Sequence, residues 1–425
     1  MPSVNLVISA SENPITRELV AADEVGHRRG TREFRRVNLA LVAGACATFA
    51  VLYSMQALFP AVGRQFGVSP AIASLTLSVP TAVLALSTIP LAAVSKTHGR
   101  TKVMSISIVA TAVIGLAVPF APSFAVLLVL RGLEGCALAG LQATAMSYLS
   151  EELHHSSLGS GMGLYVAGTA FGGMLGRTLA GAVVDFASWR VALATVSVLS
   201  VFAAVVFIPT ILPSRNFRPV PLRFAAAPGS GSRTFSDRGL TALYVIGFLD
   251  MAGFVTVYNY LGYRLLSPEF GLSQALVGAL FVIYVTGAGA STVAGRLVGV
   301  FSYRAVLWPS ALVALAGVVL MLSSHVAVIV IGLVLVTIGF FATHSVASGW
   351  VGARSGQLRG SGPAAYLFCY YLGSSIGGTV GGVWYGRSGW NGLSIYLAVI
   401  FAAIIAVGVS LRHLRPIASS PVADR

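Results

Sequence analysis

Four side chains carry charge inside stretches of this sequence that are otherwise almost free of it: Arg131, Glu134, Arg177 and Asp250. Arg131 and Glu134 stand three residues apart, a spacing that puts both on one face of a helix and within reach of each other. Such a pair either ties helices together or lines a path for a charged ligand or a proton, and the spacing fits both. Asp250 stands alone near the middle of its apolar run. Loss of water penalises a charged carboxyl there, which makes Asp250 one candidate proton carrier and Glu134 a second. An Asp in that position is equally compatible with pairing to an arginine or capping a kink. Tyr53 with Gln56, and Tyr258 with Asn259, set hydrogen-bonding groups beside aromatic surface, as a small-molecule site requires. Tyr258 and its neighbour Tyr260 also suit an anchoring belt at a membrane boundary. His344 suits either a proton relay or a packing contact.

The elements that must hold these residues are membrane spans. The chain has 425 residues, of which 56% are hydrophobic and 9% charged. A spanning helix needs about 20 apolar residues, because the hydrocarbon layer is about 30 Å thick. Apolar stretches lie near 37–60, 71–94, 103–121, 124–148, 158–184, 190–212, 239–265, 274–298, 305–323, 326–349, 362–385 and 391–411. The expected fold is therefore an all-α integral membrane protein of about twelve transmembrane helices. An ionisable group at bilayer depth costs at least roughly 2.5–3.5 kcal/mol and should face a cavity or a partner. Arg131 and Arg177 each lie about eight residues from the outer end of their spans, so at about 1.5 Å per residue they sit at similar depth. Glu134 is then expected to bridge them.

The net charge of +14 does not point to nucleic acid, because the arginines segregate by loop. Arg28, Arg29, Arg32, Arg35 and Arg36 precede the first span, whereas Arg64, Arg190, Arg264 and Arg387 are the few on the opposite side. By the positive-inside rule both termini are cytoplasmic. The first apolar run is too long for a secretory signal and reads as a span. The polar segment 1–30 is expected to be disordered. Residues 213–238 hold four prolines, a Gly-Ser run and five arginines, a composition that builds no packed core. The expected organisation is a cytoplasmic tail 1–36, a six-helix bundle 37–212, a cytoplasmic linker 213–238, a second bundle 239–412 and a tail 413–425.

Cys46, Cys136 and Cys369 fall inside spans and read as small buried hydrophobes rather than a disulfide or metal set. No Gly-Lys pair occurs, so there is no phosphate loop of the G-x-x-x-x-G-K-[ST] type, and no H-E-x-x-H zinc signature or dinucleotide fingerprint is present. Gly373-Ser374-Ser375-Ile376-Gly377 matches G-x-S-x-G but lies within a predicted helix rather than on a strand-to-helix turn. The expectation is no cofactor, no metal and no enzymatic site, with an ion gradient as the energy source.

The halves repeat. Tyr53 followed by Phe66-Gly67-Val68-Ser69 echoes Tyr258 followed by Phe270-Gly271-Leu272-Ser273. Tyr165, Gly172, Gly176, Gly181 and Trp189 map at constant offset onto Tyr366, Gly373, Gly377, Gly382 and Trp390. Parallel six-helix repeats are the architecture in which two bundles rock about a central site. The stripes Gly168, Gly172, Gly176 and Gly373, Gly377, Gly381 let helix backbones approach closely, either as fixed packing or as a sliding interface.

The segments Leu52 to Pro60, Gly163 to Arg177, Val257 to Gly262 and Phe341 to Gly352 resemble the major facilitator superfamily. Within it they resemble the YnfM-like branch of the twelve-span drug:proton antiporters, over most of residues 37–411. The fifth-span segment is similar to the family's antiporter motif, with Gly168, Gly172, Gly173 and Gly176 in place and Met174 where many members carry proline. Arg131 resembles the family's arginine of the fourth span. The cytoplasmic gate loop keeps Gly99 and Arg100 but has Ala92 for the first Gly and Lys96 for the Asp. Its repeat keeps Gly295, Arg296 and Leu297, with Gly299 at the Asp position and Ser302 at the second Gly. The resemblance implies that this Asp helps hold the gate, so pairing of Lys96 with Glu151 or Glu152 is expected to replace it.

Together these readings predict a monomeric secondary transporter that moves a small organic molecule across the cytoplasmic membrane by alternating access, exporting it in exchange for protons. A proton-coupled uptake carrier for a polar or anionic metabolite is one alternative, which Arg131 and Arg177 would suit. A non-transporting sensor of the same fold is another.

Overall fold

The computed structural model describes residues 26–215, 217, 219, 235–355 and 361–411. Expectations for residues 1–25, most of the linker and the tail from 412 fall outside the described residues. Twelve long helices make up the described chain: α1 Arg32–Ser54, α2 Pro70–His98, α3 Arg100–Ala117, α4 Phe124–Glu152, α5 His155–Val184, α6 Trp189–Thr210, α7 Arg238–Leu265, α8 Gln274–Val300, α9 Tyr303–Leu320, α10 Val326–Arg354, α11 361–387 and α12 390–410. The last two form one run bent at Ser388 and Gly389, where Gly389 takes a positive φ of 57°. Ten segments are long and apolar enough to cross a membrane, the tenth holding both α11 and α12. The helix left out is α5, whose glycines, serines and Arg177 dilute its apolar content.

Helix starts follow local chemistry. Ser69, Ser123, Ser188 and Ser273 each cap their helix by accepting from the backbone N–H three residues on. The first helix begins at Arg32, earlier than the apolar run, because Thr31 Oγ1 accepts from the Phe34 N–H. Part of the segment expected to be disordered is ordered: the His27 N–H donates to the Glu152 carbonyl at 2.8 Å and the His154 N–H donates to the His27 carbonyl at 3.2 Å.

The helices α1–α6 and α7–α12 form two bundles of the same design. Within each, the glycine stripe closes one helix pair: α5 lies on α1 and α11 lies on α7. A Cβ at Gly172 or Gly176 would strike the α1 backbone at Cys46 or Ala50, and one at Gly373 or Gly377 would strike α7 at Phe248 or Ala252. The stripes are thus fixed packing inside each bundle. The bundles meet along α2 with α11 and along α5 with α8. The three cysteines are free, and Cys136 is exposed rather than buried as expected.

Candidate functional site

The N-terminal bundle locks its buried charges. After Ser54 the chain passes through a 3-10 turn, Met55–Ala57, so the last α1 carbonyls lose regular helical partners. Arg131, which is 1% exposed, fills that need. Its guanidinium donates to the carbonyls of Leu52 at 2.8 Å, Val51 at 3.3 Å and Thr76 at 2.9 Å, and it pairs with Glu134. The pair therefore joins α1, α2 and α4. Glu134 does not bridge to Arg177 as expected; the carboxylate is turned toward Gly115 and Ser197, against α3 and α6.

Arg177 lies instead on the seam between bundles. Its Nε donates to Gln56 Oε1 at 2.6 Å and its Nη1 to the Gly173 carbonyl at 2.7 Å. The Gln56 amide in turn donates to Asn259 Oδ1 at 2.6 Å, so a polar chain runs from α5 through the α1 break to α7. The guanidinium carbon sits 4.1 Å from the centre of the Tyr53 ring, 4.7 Å from Tyr284 and 5.1 Å from Phe281. Tyr258 stacks on Phe281 and shares a hydrogen bond with Thr337 at 2.8 Å. Tyr258 and Tyr260 are 4% and 0% exposed, so the membrane-belt alternative fails for both.

The C-terminal bundle holds its acid differently. Asp250 is 1% exposed, and neither carboxyl oxygen has a hydrogen-bond partner among the described residues. It lies within electrostatic range of Tyr366 and Tyr370 on α11. The Tyr366 hydroxyl is 3.0 Å from His344 Nδ1, and the His344 ring lies 4.6 Å from that of Tyr370. His344 is half-buried, so this cluster connects a buried carboxyl with a more accessible imidazole. At mid-depth Tyr165 donates to Gln142 at 3.1 Å, and the Gln142 amide donates to Tyr371 at 3.2 Å, crossing between bundles.

Of the residues expected to line one cavity, the structure brings Tyr53, Gln56, Arg177, Tyr258 and Asn259 to one seam, whereas Arg131, expected among them, is set apart with Glu134 inside the N-terminal bundle. It missed Tyr284, Phe281, Gln142, Tyr370 and Tyr371. A signal existed: Tyr366 and Tyr370 recur at the i, i+4 spacing of one helix face in an apolar run, with Tyr371 beside them.

Apart from Gln142–Tyr371, every described hydrogen bond between bundles lies in the half of the molecule that holds the end of α1 and the start of α8. Asp185 at the end of α5 accepts from the backbone N–H of Gln274 at 2.9 Å and of Ala275 at 3.1 Å. Thr178 donates to the Gly278 carbonyl at 3.1 Å, and Thr379 donates to Ser78 at 2.8 Å. The bundles are closed there, on the face opposite the chain's entry into α1.

Residues 41–245 match the family model described as Major Facilitator Superfamily. The chain is 40% identical over 386 residues to the inner membrane transport protein YnfM of Escherichia coli, covering 91% of this chain and 93% of that one. It is 39% identical over 383 residues to the uncharacterized MFS-type transporter YybF of Bacillus subtilis, covering 90% and 94%. The chain belongs to the major facilitator superfamily. A crystal structure of a bacterial homolog of the human lysosomal transporter Spinster, inward-facing and unoccupied, shares the fold with a TM-score of 0.72 at 16% identity, covering 90% of this chain and 96% of that one.

As a superfamily member this is a multi-pass membrane transporter, and the turn between α2 and α3, where the family's Asp is replaced by Lys96, is held by Arg100. Arg100 Nη2 donates to Glu151 at 2.7 Å and its Nη1 donates to Ser95 Oγ at 2.6 Å. Lys96, expected to take the acid, is exposed, and it is Arg100 that binds Glu151. Glu152 accepts from the Arg215 N–H at 2.8 Å.

Proposed function

We propose that this protein is a proton-coupled secondary transporter of a small organic molecule in the cytoplasmic membrane, and that Asp250 carries the proton. The two bundles span 37–212 and 239–412, with the tails, the linker and the gate loop on the cytoplasmic side. The observation that carries the reading is the isolation of Asp250. A buried carboxylate without a cation or donor is costly, and taking up a proton removes that cost. Glu134 already has its cation, which leaves it less free to exchange a proton. Tyr366, within electrostatic range of Asp250 and hydrogen-bonded to His344, offers the next step for a proton that leaves the carboxyl.

The resemblance of Gly163 to Arg177 to the family's antiporter motif supports export in exchange for protons. The second reading is uptake of an anion together with a proton, and the observation favouring it is Arg177, a buried cation with no carboxylate beside it. Reconstituted vesicles loaded with a panel of labelled compounds and energised by a proton gradient test both. In Asp250→Asn, gradient-driven flux is expected to fall to the level of passive exchange while counterflow persists. Undiminished gradient-driven flux in that variant would remove Asp250 from the mechanism, and the polarity of gradient that drives accumulation separates uptake from export.

A further inference from the structure

Arg177 is 2% exposed, and among the described residues it has no ion-pair partner. The acids that face its surroundings are committed elsewhere. Glu134 pairs with Arg131, Asp185 two turns along α5 caps the start of α8, and Asp250 lies across the seam among the α11 tyrosines. A guanidinium held out of water without a counter-charge is strongly disfavoured. Its own neighbours only partly offset this. Gln56, Gly173 and Tyr284 together take at most three of its five N–H donors. Two donors remain, both on the terminal nitrogens Nη1 and Nη2, the number a carboxylate engages when it binds an arginine fork in bidentate fashion.

The walls around that fork are flat and apolar. Tyr53, Tyr284 and Phe281 approach the guanidinium from three sides, with ring centres 4.1–5.1 Å away. Aromatic faces of this kind attract the cation and also present stacking surface to a ring. We infer that Arg177 and these three rings form the subsite for a carboxylate group borne on a planar aromatic body, so that the substrate is an aromatic organic anion. The inference deepens the transport reading, because it assumes a substrate at the bundle seam, but it depends neither on direction nor on Asp250. In the distally closed form described here the three rings cover the site, and their displacement on the cytoplasmic side admits the ligand.

The test is equilibrium binding to the purified full-length protein in detergent, by titration calorimetry, with benzoate, benzamide and benzylammonium as size-matched probes. Benzoate is expected to bind roughly ten- to hundredfold more tightly than benzamide, with benzylammonium weakest, the discrimination that one charge-assisted bidentate contact provides. Arg177→Gln is expected to erase the preference for benzoate, Arg177→Lys to keep part of it, and Asp237→Asn, at the start of α7 and away from the seam, to leave it intact. Equal binding of the neutral or cationic probe, an unchanged preference in a folded Arg177→Gln, or no benzoate binding would each overturn the assignment. The probe series on the wild-type protein decides the matter even if Arg177→Gln does not fold. Failure of benzoate to bind beside proton-driven flux of another compound would sink the subsite alone; benzoate binding without any flux would sink the transport reading alone.

Discussion

The two bundles share a fold and treat buried charge in opposite ways. In the N-terminal half, Arg131 and Glu134 are paired, and the guanidinium also satisfies carbonyls of two neighbouring helices. In the C-terminal half, α10, the counterpart of α4, carries no Asp, Glu, Lys or Arg before Arg354. Among the described residues its bundle buries a single carboxyl, Asp250, whose oxygens have no hydrogen-bond partner. On the proposed reading this difference divides the roles, the Arg131–Glu134 pair serving as scaffold and Asp250 as the group that changes its charge.

The comparison breaks most visibly if the two sites are truncated. Arg131→Gln leaves Glu134 buried and uncompensated and orphans the α1 carbonyls, so it should cost about 3–5 kcal/mol and sharply lower the thermal midpoint in detergent. Replacing both partners, Arg131→Met with Glu134→Leu, should recover much of that loss, since well-packed apolar groups often substitute for a buried pair. Asp250→Asn should leave the midpoint unchanged or raise it while abolishing proton-driven flux. If Arg131→Gln were as stable as wild type, the division into scaffold and chemistry would be wrong.

The same contrast bears on direction. An anion on Arg177 and a proton on Asp250, carried together, leave the seam with the same net charge loaded as empty. Exchanging an anion for a proton makes the two states differ by two charges in a medium that screens poorly. An anionic substrate therefore favours uptake with protons, a cationic one favours export against them, and a neutral one leaves the two equal by this count. The calorimetric probe series thus predicts the polarity of gradient that drives flux.

Much of this was legible in the sequence, and what was not has a physical reason. Span count, repeat symmetry and the four buried charges follow from hydropathy and residue spacing, because a bilayer forces apolar length and punishes charge. The partner of Glu134 was half legible: Arg131 at three residues is dictated by the helix, whereas Arg177 sits on a different helix whose rotation no local rule gives. Lys96 failed for a related reason. The α2 helix ends at His98 and Gly99 takes a positive φ of 99°, which turns Arg100 rather than Lys96 toward Glu151. The α11 tyrosines were missed because an aromatic in an apolar run looks like core until its hydroxyl is seen to have a partner.

A second, smaller comparison concerns the two seams that join the bundles. At the α5–α8 seam, Gly181 and Gly278 bring the backbones together and Asp185 accepts from two N–H groups at the start of α8. At the symmetry-related α2–α11 seam, the constant offset puts Gly386 where Asp185 would be, so the start of α2 is capped only by its own Ser69. A carboxylate at a helix N-terminus is worth about 1 kcal/mol, so Asp185→Asn should shift the ratio of distally closed to open molecules about fivefold. Electron-spin distance measurements between labels at Ser188 and Glu269, in a cysteine-free background, should show the longer distance gaining population. An unchanged distribution would mean that the glycine contact alone holds this seam.

The smallest effect lies outside the membrane, where Asp237 starts α7 and ties it to the end of α10. Burial pushes the Asp237 carboxyl up, but the Arg354 guanidinium and the backbone N–H groups of Leu240 and Gly239 outweigh it and hold the carboxyl below its ordinary 3.8. Arg354 Nε donates to it at 2.8 Å and Nη2 at 3.0 Å. A folded-state value below the unfolded one means that the stabilisation is present above the unfolded value and is lost as pH falls through the folded one. Asp237→Asn should therefore lower the thermal midpoint slightly at pH 7, and the difference from wild type should shrink as pH falls below the ordinary 3.8 and through the lower folded-state value. The pair is partly exposed, so solvent screening keeps the shift small and salt should shrink it further. A difference that persisted unchanged at acid pH would show that Asp237 acts through its shape as a helix cap, which an Asn preserves in part, and not through its charge.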